Sequence, residues 1–203
     1  MARAFHDLPR LSLEEFLQFD DGTDIRYELR DGWLHAMNPA GPSHAVISGN
    51  INALWREASR DLKRCRPLIT PGLVLDPNKP NYYIPDVAYT CESFGDRLYI
   101  REPLAVAEVL SPGTERDDLG LKLARYQQVP SIAEIWLVGS RERWAQVHRR
   151  VEGHWVPAIP AIGQGQVESG LLGRMVDLEE IYLGSDVAAE EPPRRRHRLP
   201  DFD

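Results

Sequence analysis

The sequence predicts an α/β fold of the mixed-sheet kind, with helices packed against a sheet that holds strands of both directions. Three observations carry this. An apolar stripe of helical period runs from about His44 to Leu62, short branched-apolar runs broken by Pro, Gly and Asn fill residues 68–110, and a second amphipathic stretch, Asp117 to Gln128, leads into the apolar run Ile135–Val138. Helix, strands, helix, strand is the order of a mixed sheet flanked by helices.

Taken in order, the segment Ser12 to Phe19 reads as an opening helix, with Ser12 as its cap and Glu15 completing a capping box three residues on. In IRYELRDGWLHAM, Ile25, Tyr27 and Leu29 alternate with Arg26, Glu28 and Arg30, and Asp31-Gly32 is a two-residue hairpin signal. NPAGPS is a loop. The long helix after it places Ile47, Ile51, Leu54, Trp55, Ala58 and Leu62 on one face. Strand-like runs follow at Leu68–Thr70, Leu73–Leu75, Ile84–Thr90 and Leu104–Leu110. SPGT ends the last of these and opens the second helix, after which Ile135–Val138, Trp144–Arg150 and His154–Ala158 read as strands and VDLEEIY as a short amphipathic piece. Residues 1–185 are expected to form one domain, and 186–203, with little to bury, a disordered tail.

Composition narrows the class. The chain of 203 residues is 42% hydrophobic and 27% charged, which is ordinary for a globular protein. No apolar run nears the roughly 20 residues of a membrane-spanning helix, and the N-terminus lacks the apolar core of a secretory signal, so a cytoplasmic location is the expectation. Cys65 and Cys91 stand far apart without a CxxC partner, which excludes a Cys-rich zinc site; a single disulfide is open to them, but the absence of an export signal leads to an expectation of free structural thiols. The net charge of −7 weighs against a protein that lives on nonspecific duplex binding, because phosphate neutralisation supplies most of that affinity. Ser111 lacks the G-x-S-x-G elbow of a serine hydrolase, and GQGQ at 163–166 lacks phosphate-loop spacing. The five tryptophans sit in regular elements, where core packing is the plainer reading than base stacking.

Three residues carry chemistry. Asp86 follows Pro85 at the start of an apolar strand, where proline is tolerated and the chain bends; a solvated acid at a strand entrance is the plain alternative. Glu108 lies inside LAVAEVL, and an ionised carboxylate in a buried strand costs several kcal/mol unless a cation meets it. A raised pKa, a metal, or a Lys or Arg partner each resolves that cost, and so does an edge strand with one wet face. Lys122 shares a helical stripe with Leu119 and Tyr126, the face a solvated lysine would avoid, although an i−4 surface pair with Asp118 is open to it. Two carboxylates from neighbouring strands repel unless a cation lies between them. A hard cation such as Mg²⁺ favours oxygen ligands and keeps several waters, and a lysine beside it can orient or help deprotonate one of them. The combination is that of a hydrolytic phosphodiesterase.

The runs PD, EVLSP and DLGLKLARY, with YELRDG and the P-S-H step upstream and EIWLVG downstream, resemble the Uma-two family within the PD-(D/E)xK nuclease superfamily, over roughly residues 12 to 150. The resemblance implies a restriction-endonuclease-like αβββαβ core with flanking helices and extra strands. It implies Asp86, Glu108 and the backbone carbonyl of Val109 as ligands of Mg²⁺ or Mn²⁺. The superfamily lysine stands two residues after the glutamate, where this chain has Leu110; in branches whose lysine has moved to the next helix, the matching residue is Lys122. Glu28 matches the acid of the YEL-x-DG segment, either as an addition to the metal site or as a solvent-facing residue. His44 matches the histidine that opens the long helix, either as a proton-transfer or phosphate-contact group or as a packed structural histidine. Gly139-Ser140 replaces an acid that the family often carries there.

The function expected is therefore that of a metal-dependent endonuclease acting on DNA, with Asp86, Glu108, Lys122, Glu28 and His44 as its site and a homodimer as its working form. The acidic charge keeps a second class in view, a catalytically inactive nuclease fold used for binding or assembly. A nuclease for RNA or single strands shares the chemistry.

Overall fold

The computed structural model describes residues 10–111 and 117–189. The elements, in chain order, are α1 (Leu13–Leu17), the hairpin β1 (Tyr27–Arg30) and β2 (Trp33–Ala36), α2 (Pro42–Ala58), β3 (Arg66–Ile69), β4 (Gly72–Leu73), β5 (Val87–Thr90), β6 (Tyr99–Ile100), β7 (Pro103–Leu110), α3 (Asp117–Gln127), β8 (Glu134–Gly139), β9 (Trp144–Val151), β10 (His154–Pro157), β11 (Ala161–Ile162), β12 (Gln166–Ser169), β13 (Arg174–Asp177) and α4 (Leu178–Tyr182). The series α2, β3, β5, β7, α3, β8 is the αβββαβ core.

The main sheet runs β10-β9-β8-β7-β5-β3, with β11 also on β9. All its pairs are antiparallel except β7 with β8, which are parallel and are joined by the crossover helix α3. The strand period of two sorts β7 between two cores. Ala105, Ala107 and Val109 point to the α2 side with Ile47, Ile51, Leu54 and Trp55. Val106 and Leu110 point to the α3 side with Tyr126, Val129 and Ile132. Glu108 belongs by parity to the α3 side, in a strand flanked on both edges, so the edge-strand alternative for it is closed.

Local sequence explains the rest briefly. Pro42 starts α2 at a position where its missing N–H costs nothing. The capping boxes Ser12–Glu15 and Asp177–Glu180 start α1 and α4. At the tip of the first hairpin Asp31 and Gly32 both take positive φ, 48° and 87°, as a two-residue turn of matching twist requires. The hairpin docks by its edge: Leu29 exchanges backbone hydrogen bonds with Tyr82 at 2.9 and 2.8 Å.

Several expectations need correction. Helix α2 ends at Ala58, where Ser59 and Arg60 turn back onto the carbonyls three residues earlier, and Leu62 leaves the stripe and is exposed. Ile25 lies before β1 and is likewise exposed. Cys65 and Cys91 are bonded in a disulfide, not free. The antiparallel register pairs Arg66 with Thr90, so the next residues outward on β3 and β5 are the two cysteines facing each other. Trp55 and Trp136 are fully buried, whereas Trp33 is exposed beneath the guanidinium of Arg10. Among the described residues no helix is long and apolar enough to cross a membrane. Residues 112–116 of the turn into α3, and 190–203 of the expected tail with its basic run at 194–198, lie outside the described residues. Val187, ahead of them, is buried.

Candidate active site

Four elements bring the site together at one end of β7. Val87 pairs with Ala107, so one further step of the same antiparallel register sets Asp86 opposite Glu108. Crossing from β7 to β8 requires a helix, and that helix, α3, lays Lys122 and Tyr126 over Glu108. The hairpin closes over the same face and inserts Glu28. From the other side of the sheet, the first turn of α2 delivers His44.

The contacts are specific. One carboxylate oxygen of Asp86, Oδ2, accepts the N–H of Val109 at 2.7 Å and lies 3.3 Å from Nε2 of His44. Glu108 accepts at Oε1 from the Tyr126 hydroxyl at 2.7 Å and from Lys122 Nζ at 3.3 Å. Lys122 Nζ is closer to Glu28, at 2.8 Å from Oε1. That same Oε1 accepts the N–H of Ile84 at 2.9 Å, and Oε2 accepts from Nε of Arg30 at 2.9 Å.

Glu28 is thus buried, at 1% exposure, and the solvent-facing alternative for it is overturned. Both its oxygens are engaged, which makes it an anchor for Lys122 rather than an open ligand.

Electrostatics follow from burial. Removal from water pushes the Glu108 carboxyl up to about 7; the Lys122 charge opposes this, while the charges of Asp86 and Glu28 add to it. Burial disfavours the Lys122 ammonium, yet Glu108 and Glu28 more than offset this and hold its pKa above the ordinary lysine range. Lys122 is therefore a fixed positive charge and not a proton acceptor. Burial also works against a charged His44, but the hydrogen bond to Asp86, the charge of Asp86, the Val109 backbone and Glu108 together raise it.

These residues can serve a divalent cation. Asp86 and Glu108 are hard oxygen donors on adjacent strands; burial is the main cause of the raised Glu108 carboxyl, and the repulsion from Asp86 that adds to it is what a cation between them relieves. Among the described residues no group of three or more His, Cys, Asp and Glu side chains forms a ready-made cage. Two carboxylates with a backbone carbonyl such as that of Val109 match a cation that keeps waters and binds through one or two carboxylates, as Mg²⁺ does.

Sequence reasoning named Asp86, Glu108, Lys122, Glu28 and His44, and the structure brings all five together. It gave no role to Arg30, which grips Glu28, or to the hydroxyl of Tyr126. The position of Tyr126, four residues after Lys122 on the same stripe, was the available signal for the second. A contrasting case is Glu134 in β8, as buried as Glu108 but met wholly by neutral donors. Its Oε1 accepts from Trp136 Nε1 and Ser169 Oγ, and its Oε2 from the N–H groups of Gly170 and Leu171. That carboxylate staples β8 to the β12–β13 pair and, among the described residues, makes no ion pair, since its cross-strand neighbour Arg149 pairs with Glu168 instead.

Comparison with known proteins adds three findings. The model of a family described as "Uma2: Putative restriction endonuclease" matches residues 13–174. An uncharacterized protein of Synechocystis sp. is 32% identical over 179 residues, covering 87% of this chain and 93% of its own. A crystal structure from Anabaena variabilis, described as a "putative nuclease belonging to DUF820", superposes with a TM-score of 0.66 at 13% identity, over 85% of this chain and 97% of that one. At that identity the likeness speaks to the fold.

Proposed function

The chain belongs to the Uma2 family of restriction-endonuclease-like proteins, and from that premise we propose that it is a divalent-metal-dependent endonuclease hydrolysing DNA phosphodiesters. The observation that carries the reading is the convergence of Asp86, Glu108 and Lys122: two buried carboxylates set opposite each other by the β5–β7 register, with a lysine held 3.3 Å from one of them.

Asp86 and Glu108, with the Val109 carbonyl, would hold Mg²⁺ or Mn²⁺. Such a cation supplies Lewis-acid polarisation of a phosphate and lowers the pKa of a water it carries. The protein's own part is orientation and charge. Lys122, an ammonium pinned between Glu28 and Glu108, directs its remaining donor capacity at the mouth of the site, where it orients the attacking water and meets negative charge growing on phosphorus. Glu28 holds that ammonium in place and is itself held by Arg30 and the Ile84 N–H. His44, 3.3 Å from Asp86, is the group set to pass a proton to the leaving oxygen, and its contact with that carboxylate favours the protonated ring. A homodimer would set two such sites against the two strands of a duplex.

Isothermal titration with Mg²⁺ and Mn²⁺, run beside plasmid nicking on wild type and Asp86→Ala, tests the reading. Metal binding and metal-dependent nicking by wild type, both absent in the variant, support it. Metal binding without nicking of DNA or RNA favours the inactive nuclease-fold module, to which the net charge of −7 already lends weight. An absence of binding at millimolar metal, with DNA present, overturns it.

A further inference from the structure

We infer that Tyr126 is a positioning residue of the metal site, which fixes the rotamer of Glu108 so that one carboxylate oxygen is spent inside the protein and the other is turned to the cation. This deepens the metal-dependent reading and rests on it.

The argument starts from the tyrosine's own needs. Tyr126 is fully buried, in a cluster with Leu73, Tyr83, Ala88, Val106, Leu110, Val129, Ile132 and Ile135. A hydroxyl in such surroundings must find an acceptor or bear a desolvation cost. Its acceptor is Oε1 of Glu108 at 2.7 Å, an oxygen it shares with Lys122. Among the described residues every hydrogen bond to Glu108 falls on this one oxygen. The ring cannot swing away, because Tyr83 packs edge-on against it with centroids 6.0 Å apart and apolar side chains fill the other sides.

The donor is therefore rigid, and the carboxylate it meets has one orientation rather than several. Both devices ride on α3: Lys122 and Tyr126 are four residues apart on one helical face, and together they clamp Oε1 from one side. Groups that hold a metal ligand from behind set its angle and charge, and their removal typically costs 10–100-fold in metal affinity or activity.

The test compares Mn²⁺ titrations of the wild type, Asp86→Ala, Tyr126→Phe and Tyr83→Phe, with thermal unfolding of each in metal-free buffer. Tyr83→Phe is the control: it removes a hydroxyl from the same cluster, one bonded to Asn81 rather than to the carboxylates. The expected result is Mn²⁺ affinity lower by about 10-fold or more in Tyr126→Phe and unchanged in Tyr83→Phe. In nicking assays the loss should fall on kcat, with KM for DNA unmoved. Equal affinity in Tyr126→Phe and wild type, with binding lost in Asp86→Ala, overturns the inference and leaves the metal site standing. Failure of the wild type itself to bind Mn²⁺ overturns both, and the wild-type titration tells the two failures apart. Should Tyr126→Phe fail to fold, 3-fluorotyrosine placed at 126 keeps the ring and strengthens the donor. Altered Mn²⁺ affinity then supports the inference, and an unchanged one overturns it.

Discussion

At the scale of single residues the site turns on who holds the charge. Lys122 stands 2.8 Å from Glu28 and 3.3 Å from Glu108, buried by both. Lys122→Met keeps the stem and removes the charge. Nicking should fall by about 100-fold or more, as when a donor to a developing oxyanion is lost. Metal affinity should survive, because Asp86 and Glu108 remain, the Tyr126 hydroxyl still holds Oε1 at 2.7 Å, and the charge removed is one that repels a cation; titration calorimetry beside the nicking assay separates the two effects. A second expectation concerns pH. The folded-state pKa of Glu108 is pushed up to about 7 from 4.5, first by burial and then by Asp86 and Glu28, against the pull of Lys122 and of the Tyr126 hydrogen bond. Between those two values the folded chain keeps a proton that the unfolded chain has released, so stability falls as pH rises through this window. Metal-free unfolding followed across it should show that decline, and Glu108→Gln should flatten it. Saturating Mn²⁺ should remove the slope, since with the cation bound the folded chain has released that proton as well.

At the scale of elements, the hairpin is what carries Glu28 to Lys122. Gly32 sits at φ +87° with Leu11 O and Arg10 Cβ at 3.2 and 3.3 Å from where a Cβ would stand. Gly32→Ala should therefore destabilise by roughly 1–2 kcal/mol, read by denaturant melts, and should slacken the grip on Lys122 enough to lower nicking in step. The elements also show what a linear reading can reach. Glu108 was legible because an acid among branched apolar residues is costly and asks for a cause, and Asp86 from its place after Pro85 at the start of an apolar strand together with the family resemblance. Lys122 was legible because it lies on the wrong face for a solvated lysine. Glu134 shows the limit, since it too is an acid beside an apolar run and yet three of its four donors come from residues 169–171, which no local period reveals. The β12–β13 pair and the role of Arg30 were missed for the same reason: they depend on contacts that the tertiary fold creates.

At the scale of the molecule, the sheet is fastened at one margin by Cys65–Cys91, whose pairing needs the β3–β5 register and so was hidden in the sequence. The bond spans 26 residues. On the loop-entropy account a closure of that length contributes about 3.5 kcal/mol, by limiting the unfolded chain. Dithiothreitol, or the Cys65→Ser/Cys91→Ser pair, should lower Tm by several degrees, and differential scanning calorimetry in both redox states checks it. Nicking should be unaffected below the new Tm, because the cysteines lie at the end of β5 opposite to Asp86.

The parallel pairing of β7 with β8 has a kinetic side. Those strands meet only after the intervening helical crossover has been closed, and the hairpin that supplies Glu28 comes from far earlier in the chain. Contacts of such long sequence separation are slow to form, because loop-closure entropy is lost before they give anything back. Glu108 meets Lys122 across only 14 residues, whereas Glu28 reaches that lysine from far earlier in the chain, so the anchoring of the ammonium is expected to close last. A half-folded chain then holds every residue of the site without the fixed ammonium, so the proposed hydrolytic centre is complete only when the molecule around it is finished.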